Sequence, residues 1–323
     1  MNIYSQNHSV NIVAYHYVRE IKNSQFPNIK GIEYNLFKKQ IKFFKEKFNI
    51  ISADDLIEIL DKKKNYSKPC LLLTFDDGYK DHYDYVFPLL LKEKIRGCFY
   101  PPVNIFKGHI FDVNKIHFIL EKCKNTSELL NTINLYLKKN FGLDIDKNKL
   151  KAINSNSIYN KFKKIPKWDD AKTVLIKEIL QNHFTDDIRK KTCDYLFRKY
   201  VKINPKDFAK HLYLNINQLK EMDKAGMHIG CHGVTHIQWK KLNDNAQENE
   251  IIKSKNFFSN KKINIENFSV CYPWGSYNAQ SYKIMKKIKI SFALTSNHGN
   301  FIASSKINRF KIPRFDAKYF SKL

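Results

Sequence analysis

The chain has 323 residues, enough for one large α/β domain or two ordinary ones. Its hydrophobic content of 43% and aromatic content of 14% exclude a disordered polymer. The formal charge of +26, from 57 Lys and Arg against 31 Asp and Glu, would suit an anionic partner, but the excess is spread through a Lys-, Asn- and Ile-rich chain rather than clustered, so nucleic acid is not an expected partner.

In chain order, Val10 to Tyr17 reads as a first strand, followed by a helix from Phe37 to Phe48 with Phe37, Ile41, Phe44 and Phe48 on one face. Ser52 with Asp55 is the start signal of a second helix. The apolar run Leu71-Leu72-Leu73-Thr74-Phe75 is a buried strand that ends on Asp76-Asp77-Gly78. Alternate strand residues face opposite ways, so two adjacent Asp share a pocket only if the strand has just ended. A plain solvated Asp-Gly turn is the ordinary alternative. A helix from Tyr83 to Lys94 and a short strand at 97–100 follow, the latter stopped by Pro101 and Pro102. This alternation predicts a parallel sheet or barrel.

After Phe106 the pattern becomes helical, over 115–124, 127–139, 168–184 and 185–199, with a polar stretch at 144–167. The spacing predicts a helical insertion. A helix at 217–225, capped by Gly226, restarts the alternation, with strands at 227–231, 268–275 and 291–295 and helices at 247–259 and 279–289. Six cysteines are scattered without a C-x-x-C pair, so neither a disulfide framework nor a cysteine-ligated zinc site is expected. No apolar run approaches the roughly 20 residues that cross a bilayer. The first residues show no secretory pattern, and the expectation is a cytoplasmic protein, with peripheral membrane association open.

The polar residues of interest fall at the carboxyl ends of apolar strands: Asp76, Asp77, His232, His236, Trp274 and His298. In parallel α/β folds that edge is where sites are built. A lone H-x-x-x-H is weak, but two His and one carboxylate form the open ligand set of catalytic zinc.

Thr74-Phe75-Asp76-Asp77-Gly78, His232-Gly233-Val234-Thr235-His236 and Tyr272-Pro273-Trp274-Gly275, in that order, resemble the three leading motifs of the NodB-homology polysaccharide deacetylases. Tyr15-His16-Tyr17-Val18 and Ile312-Pro313-Arg314 are similar to flanking features of that family. The resemblance implies a distorted (β/α) barrel of fewer than eight strands, in parts 1–106 and 211–323, interrupted by the insertion 107–210. It implies one divalent metal ion, zinc by expectation, held by Asp77, His232 and His236, with no other cofactor. Asp76 would be the general base and the Trp274 backbone N–H an oxyanion donor. The activity implied is hydrolysis of an N-acetyl group on a sugar or glycan, and a lipid-linked or nucleotide-linked precursor is the substrate expected.

The chain departs from the family at Cys271, where many relatives carry an Arg that orients the base. It has no Asp-x-x-Asp-Trp motif and no Leu-x-His-Asp motif to supply a general acid. His298 is the nearest candidate for the acid. Arg314 is a candidate for the orienting group, unless it pairs with Asp316 at the surface. His16 reads as a core histidine or part of the site floor, His82 as a surface residue and His228 as barrel interior. Two other functions stay open: a related cyclic amide hydrolase, and a non-catalytic carbohydrate-binding protein on the same fold.

Overall fold

The computed structural model describes residues 6–145 and 171–322. Two compact units divide the chain: Met1–Glu20, Gly31–His109 and Ala209–Leu323 form one, Ile21–Lys30 and Ile110–Phe208 the other.

The first unit is a distorted (β/α) barrel whose circuit is made of seven short strands: β1 (Ser9–Tyr15), β2 (Cys70–Asp76), β3 (Cys98–Tyr100), β4 (His228–Ile229), β5 (Val270–Cys271), β6 (Ala293–Leu294) and β7 (Phe315–Asp316). Four further two-residue strands lie beside it: Val18–Arg19, Ile32–Glu33, Asn49–Ile50, paired with β2, and Phe301–Ile302, antiparallel to β1. β1 runs parallel to β2 from Val10↔Cys70 to Tyr15↔Phe75, β2 pairs with β3, and β3 with β4. A single bridge, Cys231↔Val270, carries the circuit to β5, which pairs with β6. Leu294↔Ile312 leads on towards β7, and Val13↔Phe315 returns it to β1. The two seams made of one bridge each are where the barrel is distorted.

Strand alternation sorts the core. Val10, Ile12, Cys70, Leu72, Cys98, Tyr100, Cys271, Leu294 and Ile312 cluster inside the barrel. Val13, Tyr15, Leu71, Leu73, Phe75 and Phe99 pack outward. There Phe75 stacks between Tyr15 and Phe99, with ring centroids 5.1 and 4.8 Å away.

The helices are α1 (Tyr34–Lys47), α2 (Ala53–Leu60), α3 (Phe87–Lys92), α4 (Asp112–Lys122), α5 (Thr126–Phe141), α6 (Ala171–Asn182), α7 (Asp186–Tyr200), α8 (Pro205–Leu212), α9 (Ile216–Lys224), α10 (Asp244–Asn260) and α11 (Ala279–Lys287). In α1, Phe37, Ile41 and Phe44 are buried at helical spacing while the lysines face out. The stretch expected as one helix from Tyr83 begins instead as a π-turn, His82–Val86, in which Phe87 N–H reaches His82 O. Pro88 explains this, because without an N–H it cannot make the next α-helical bond. α8 was not foreseen, although Pro205 at its first position is a helix-start signal.

The second unit is helical. Its core includes edge-to-face rings at Phe26–Phe118 (4.7 Å), Phe118–Phe208 (4.6 Å) and Phe197–Phe208 (5.2 Å). Phe26 is the reason that 21–30 belong to this unit. The polar stretch predicted at 144–167 lies, from residue 146 on, outside the described residues. Among the described residues no helix is long and apolar enough to cross a membrane.

Candidate active site

Leu72, Thr74 and Asp76 share the inward parity of β2, and the strand ends at Asp76. Asp77 and Gly78 then take left-handed backbone conformations, with φ of 69° and 66°. That turn breaks the alternation, so Asp77 is not thrown to the far side of the sheet. Asp tolerates this conformation; at Gly78 nothing larger fits, because a Cβ would lie 2.6 Å from Ile105 Cδ1. Leu214 N–H donates to Gly78 O (3.0 Å) and Lys80 N–H to Leu212 O (2.8 Å), fastening the turn from the other side.

His232 follows the Cys231 bridge, and His236 closes the loop with φ 56°. Their Nε2 atoms lie 3.3 and 3.2 Å from Asp77 Oδ1. Two of the three groups are fixed from behind. His232 Nδ1 is 2.7 Å from Cys271 O, and a carbonyl accepts only from an N–H, so in the neutral ring Nε2 is the nitrogen left to bind a metal. The Tyr79 hydroxyl donates to Asp77 Oδ2 at 2.6 Å, leaving Oδ1 for the histidines. Burial opposes ionisation of Asp77, but the two imidazoles outweigh it and hold its carboxyl well below the usual range. The donor set, two imidazole nitrogens and one carboxylate oxygen, fits a divalent ion with an open position.

Asp76 is gripped by Arg314, whose two terminal nitrogens donate to Oδ1 at 3.0 Å and Oδ2 at 2.8 Å. The same guanidinium donates to Thr295 O (2.9 Å) and Thr74 Oγ1 (3.1 Å). At 6% exposure, Arg314 is no surface partner of Asp316. Burial raises the Asp76 pKa, but the Arg314 charge and fork overcome it and leave the carboxyl at about 2. Cys271, where the motif resemblance implies an Arg, places its Sγ 3.4 Å from Asp76 Oδ2.

His16 is not a core histidine but lies beside Asp76 in the site. Its side chain is 47% exposed, with Nε2 3.9 Å from Asp76 Oδ2. Sequence reasoning left it undecided, yet the parallel register Tyr15↔Phe75 puts His16 beside Asp76. His298, expected as the acid, packs its ring on Phe315 (4.8 Å) and Tyr319 (5.0 Å). Trp274 is 38% exposed, has φ 61°, and donates its indole N–H to His236 O at 3.0 Å.

His82, expected at the surface, is fully buried among Phe75, Tyr79 and Phe99. Burial pushes it down to about 4, so it is neutral and its Nε2–H donates to His16 O at 2.8 Å. His228 meets Ser269 Oγ at 2.7 Å. All six cysteines are buried free thiols.

Fold and site together define a seven-stranded barrel with a two-histidine, one-carboxylate centre at the carboxyl ends of its strands. A family profile described as Polysaccharide deacetylase matches residues 194–293, which include His232, His236 and Trp274. The Bacillus subtilis (strain 168) protein YxkH, named for polysaccharide deacetylation, is 30% identical over 87 residues, 27% of this chain and 31% of that relative. Thus less than a third of that relative's length is matched. The fold resembles Streptococcus pyogenes deacetylase PplD in complex with acetate, at 15% identity, with TM-score 0.55 over 96% of this chain and 93% of that one. It is also similar to the BpsB deacetylase domain from Bordetella bronchiseptica (12% identity, TM-score 0.53, 96% of each chain) and to IcaB from Ammonifex degensii (14%, 0.52, 97% and 93%). Over residues 194–293 the chain is therefore similar to the polysaccharide deacetylase family, and its fold is similar to those of solved deacetylases.

Proposed function

We propose that this protein is a metal-dependent deacetylase that hydrolyses the acetamide of an N-acetylated sugar or polysaccharide. The observation that carries the reading is the convergence of Asp77, His232 and His236 beside a second carboxylate held by Arg314. The family and the names of its relatives point the same way.

Asp77 Oδ1 and the two Nε2 atoms would hold the ion. When bound, a divalent ion, zinc in our reading, supplies Lewis acidity to the acetyl carbonyl and to the attacking water. Asp76, kept ionised, takes a proton from that water as its oxygen bonds to the carbonyl carbon. Arg314 aims both oxygens of Asp76, the task that the motif resemblance assigns to an Arg at the Cys271 position. The Trp274 backbone N–H, in the turn after Pro273, donates to the developing oxyanion. His16 takes the acid role expected of His298, because its ring is half-exposed and within 3.9 Å of Asp76. It protonates the sugar nitrogen as the C–N bond breaks, releasing acetate and a free amine.

The test is acetate release from an N-acetylglucosamine oligomer by protein stripped with a chelator and resupplied with zinc. Release should require the metal, and Asp76→Asn or His232→Ala should lower it by about 10²–10⁴-fold. If the protein binds no divalent metal and His232→Ala changes nothing, the reading fails. Turnover of a cyclic imide but not the sugar would pass the function to amide-ring hydrolysis. Sugar binding without turnover would pass it to a binding protein. Offering lipid-linked and nucleotide-linked acetyl sugars in parallel tests the finer reading of a cytoplasmic precursor.

A further inference from the structure

The loop joining the two histidines contains Gly233, Val234 and Thr235, and its hydrogen bonds can be traced. Gly233 O and Val234 O accept from Val103 N–H (3.1 Å) and Asn104 N–H (3.0 Å). Val234 N–H and Thr235 N–H both donate to one oxygen of a single side chain, Glu250 Oε2, at 2.7 and 3.0 Å. The Thr235 hydroxyl donates to the other oxygen, Oε1, at 2.9 Å. Glu250 lies on α10, after the loop in the chain, and is 9% exposed. Gly233 has φ 74°, and a Cβ there would stand 2.6 Å from Glu250 Oε2. The carboxylate therefore occupies the place of a side chain that the glycine lacks, and glycine and glutamate make one device.

We propose that Glu250 is the positioning residue of the histidine arm, setting the loop so that both Nε2 atoms converge on Asp77. This rests on the reading that Asp77, His232 and His236 hold a divalent ion. The geometry places the effect on the loop rather than on the fold. Val234 is only half-buried and Thr235 is exposed, so freed N–H groups can turn to water. α10 remains anchored without the carboxylate, through buried Ile251 and Phe258. The cost of losing Glu250 then appears as disorder in the angle between two imidazoles, which a metal ion reports directly. Outer groups that orient metal ligands are worth about 10–100-fold in affinity.

Glutamine is the conservative replacement. Its amide oxygen can accept both N–H groups while its NH₂ donates to the Thr235 hydroxyl. Alanine removes all three contacts.

The experiment is a zinc titration of metal-free protein against a chromophoric chelator, with amide hydrogen exchange at Val234 and Thr235 and thermal denaturation of the metal-free form. Glu250→Ala should weaken zinc binding by about 10–100-fold. It should also speed exchange at Val234 and Thr235 while moving the metal-free melting temperature by no more than about 4 °C. Glu250→Gln should bind zinc within about threefold of the parent, since a conserved hydrogen-bond pattern costs at most a fraction of one bond. Alanine protein that binds zinc like the parent, or glutamine protein as weak as alanine, overturns the proposal. A parent that binds no zinc sinks the metal reading itself, whereas parent and alanine binding equally well sinks only the role of Glu250. If Glu250→Ala does not fold, Thr235→Val removes the hydroxyl contact alone and should weaken zinc binding by about 2–10-fold; unchanged affinity there overturns the proposal.

Discussion

Two adjacent carboxylates, Asp76 and Asp77, come to different ends because of what touches them. Asp77 meets two imidazoles and a phenol, and Asp76 meets a guanidinium fork. The fork lowers the basicity of Asp76, so in the proposed reaction its value is aim rather than proton affinity. Arg314→Lys keeps the charge but not the planar pair of donors. It should leave the fold intact and lower kcat by about 10–100-fold, in line with loss of a bond to a charged group of about 1.5–3 kcal/mol. Arg314→Ala should in addition destabilise the protein by about 3–5 kcal/mol, read by chemical denaturation, because it strands a buried carboxylate. His16→Gln should reduce kcat by about 10²–10⁴-fold with zinc affinity unchanged. His298→Gln, packed on Phe315 and Tyr319, should leave kcat close to the parent value. Equal losses in the two variants would return the acid role to an open choice. The sequence alone singled out Asp76, Asp77 and His232 where apolar runs end, and His236 by its spacing from His232. It left His16 and Arg314 undecided, because their partners are fixed by register between distant strands, which no local spacing records.

At the level of elements, legibility tracked length. α1, α2 and β2 carry enough periodic residues to announce themselves, and α2 shows its start signal intact. Ser52 N–H donates to Asp55 Oδ2 at 2.9 Å and Asp55 N–H to Ser52 Oγ at 3.2 Å. By contrast β4, β5 and β6 are two residues each, shorter than the strands read at 227–231, 268–275 and 291–295, because the sequence shows an apolar run but not how much of it is paired. The cap gives a clean prediction. Burial opposes ionisation of Asp55, but Lys64 and the Ser52 N–H outweigh it and hold the carboxyl at about 2. An unfolded Asp titrates near 3.9, so the ionised cap stabilises the fold fully above about pH 4 and loses that contribution as pH falls towards about 2. Asp55→Asn should cost about 1 kcal/mol at pH 7. The gap between variant and parent, followed by denaturant titration, should close as the pH falls through that window. A gap that stays constant from pH 7 to pH 2 would show that the charge is irrelevant to the cap.

For the molecule as a whole, the decisive feature is the seam where the barrel closes on itself. β7 lies against β1 through Val13↔Phe315 and Ala14↔Asp316 alone, and the strands beside the seam lead to His16 on one side and Arg314 on the other. α1 clamps the seam: Gln40 accepts from the Tyr15 hydroxyl at 2.8 Å and donates to Ala317 O at 2.9 Å and Phe320 O at 3.2 Å. Removing everything after Lys311 takes away buried Ile312, Phe315 and Phe320 together with Arg314. Loss of each large apolar side chain costs about 2–5 kcal/mol, and three of them rival the roughly 5–15 kcal/mol by which a typical domain is stable. The truncated chain should therefore lose its cooperative thermal transition, whereas Arg314→Lys should keep it. Thiols give an independent reading, because Cys70, Cys98 and Cys271 line the same interior cluster as Ile312. Burial pushes the Cys70 thiol up to about 12, and in the intact barrel a thiol reagent should find these groups closed and unreactive. Opening the seam should make all three react at the rate of free cysteine. A truncated protein that melts like the parent and still shields its thiols would mean that the barrel stands without its last strand.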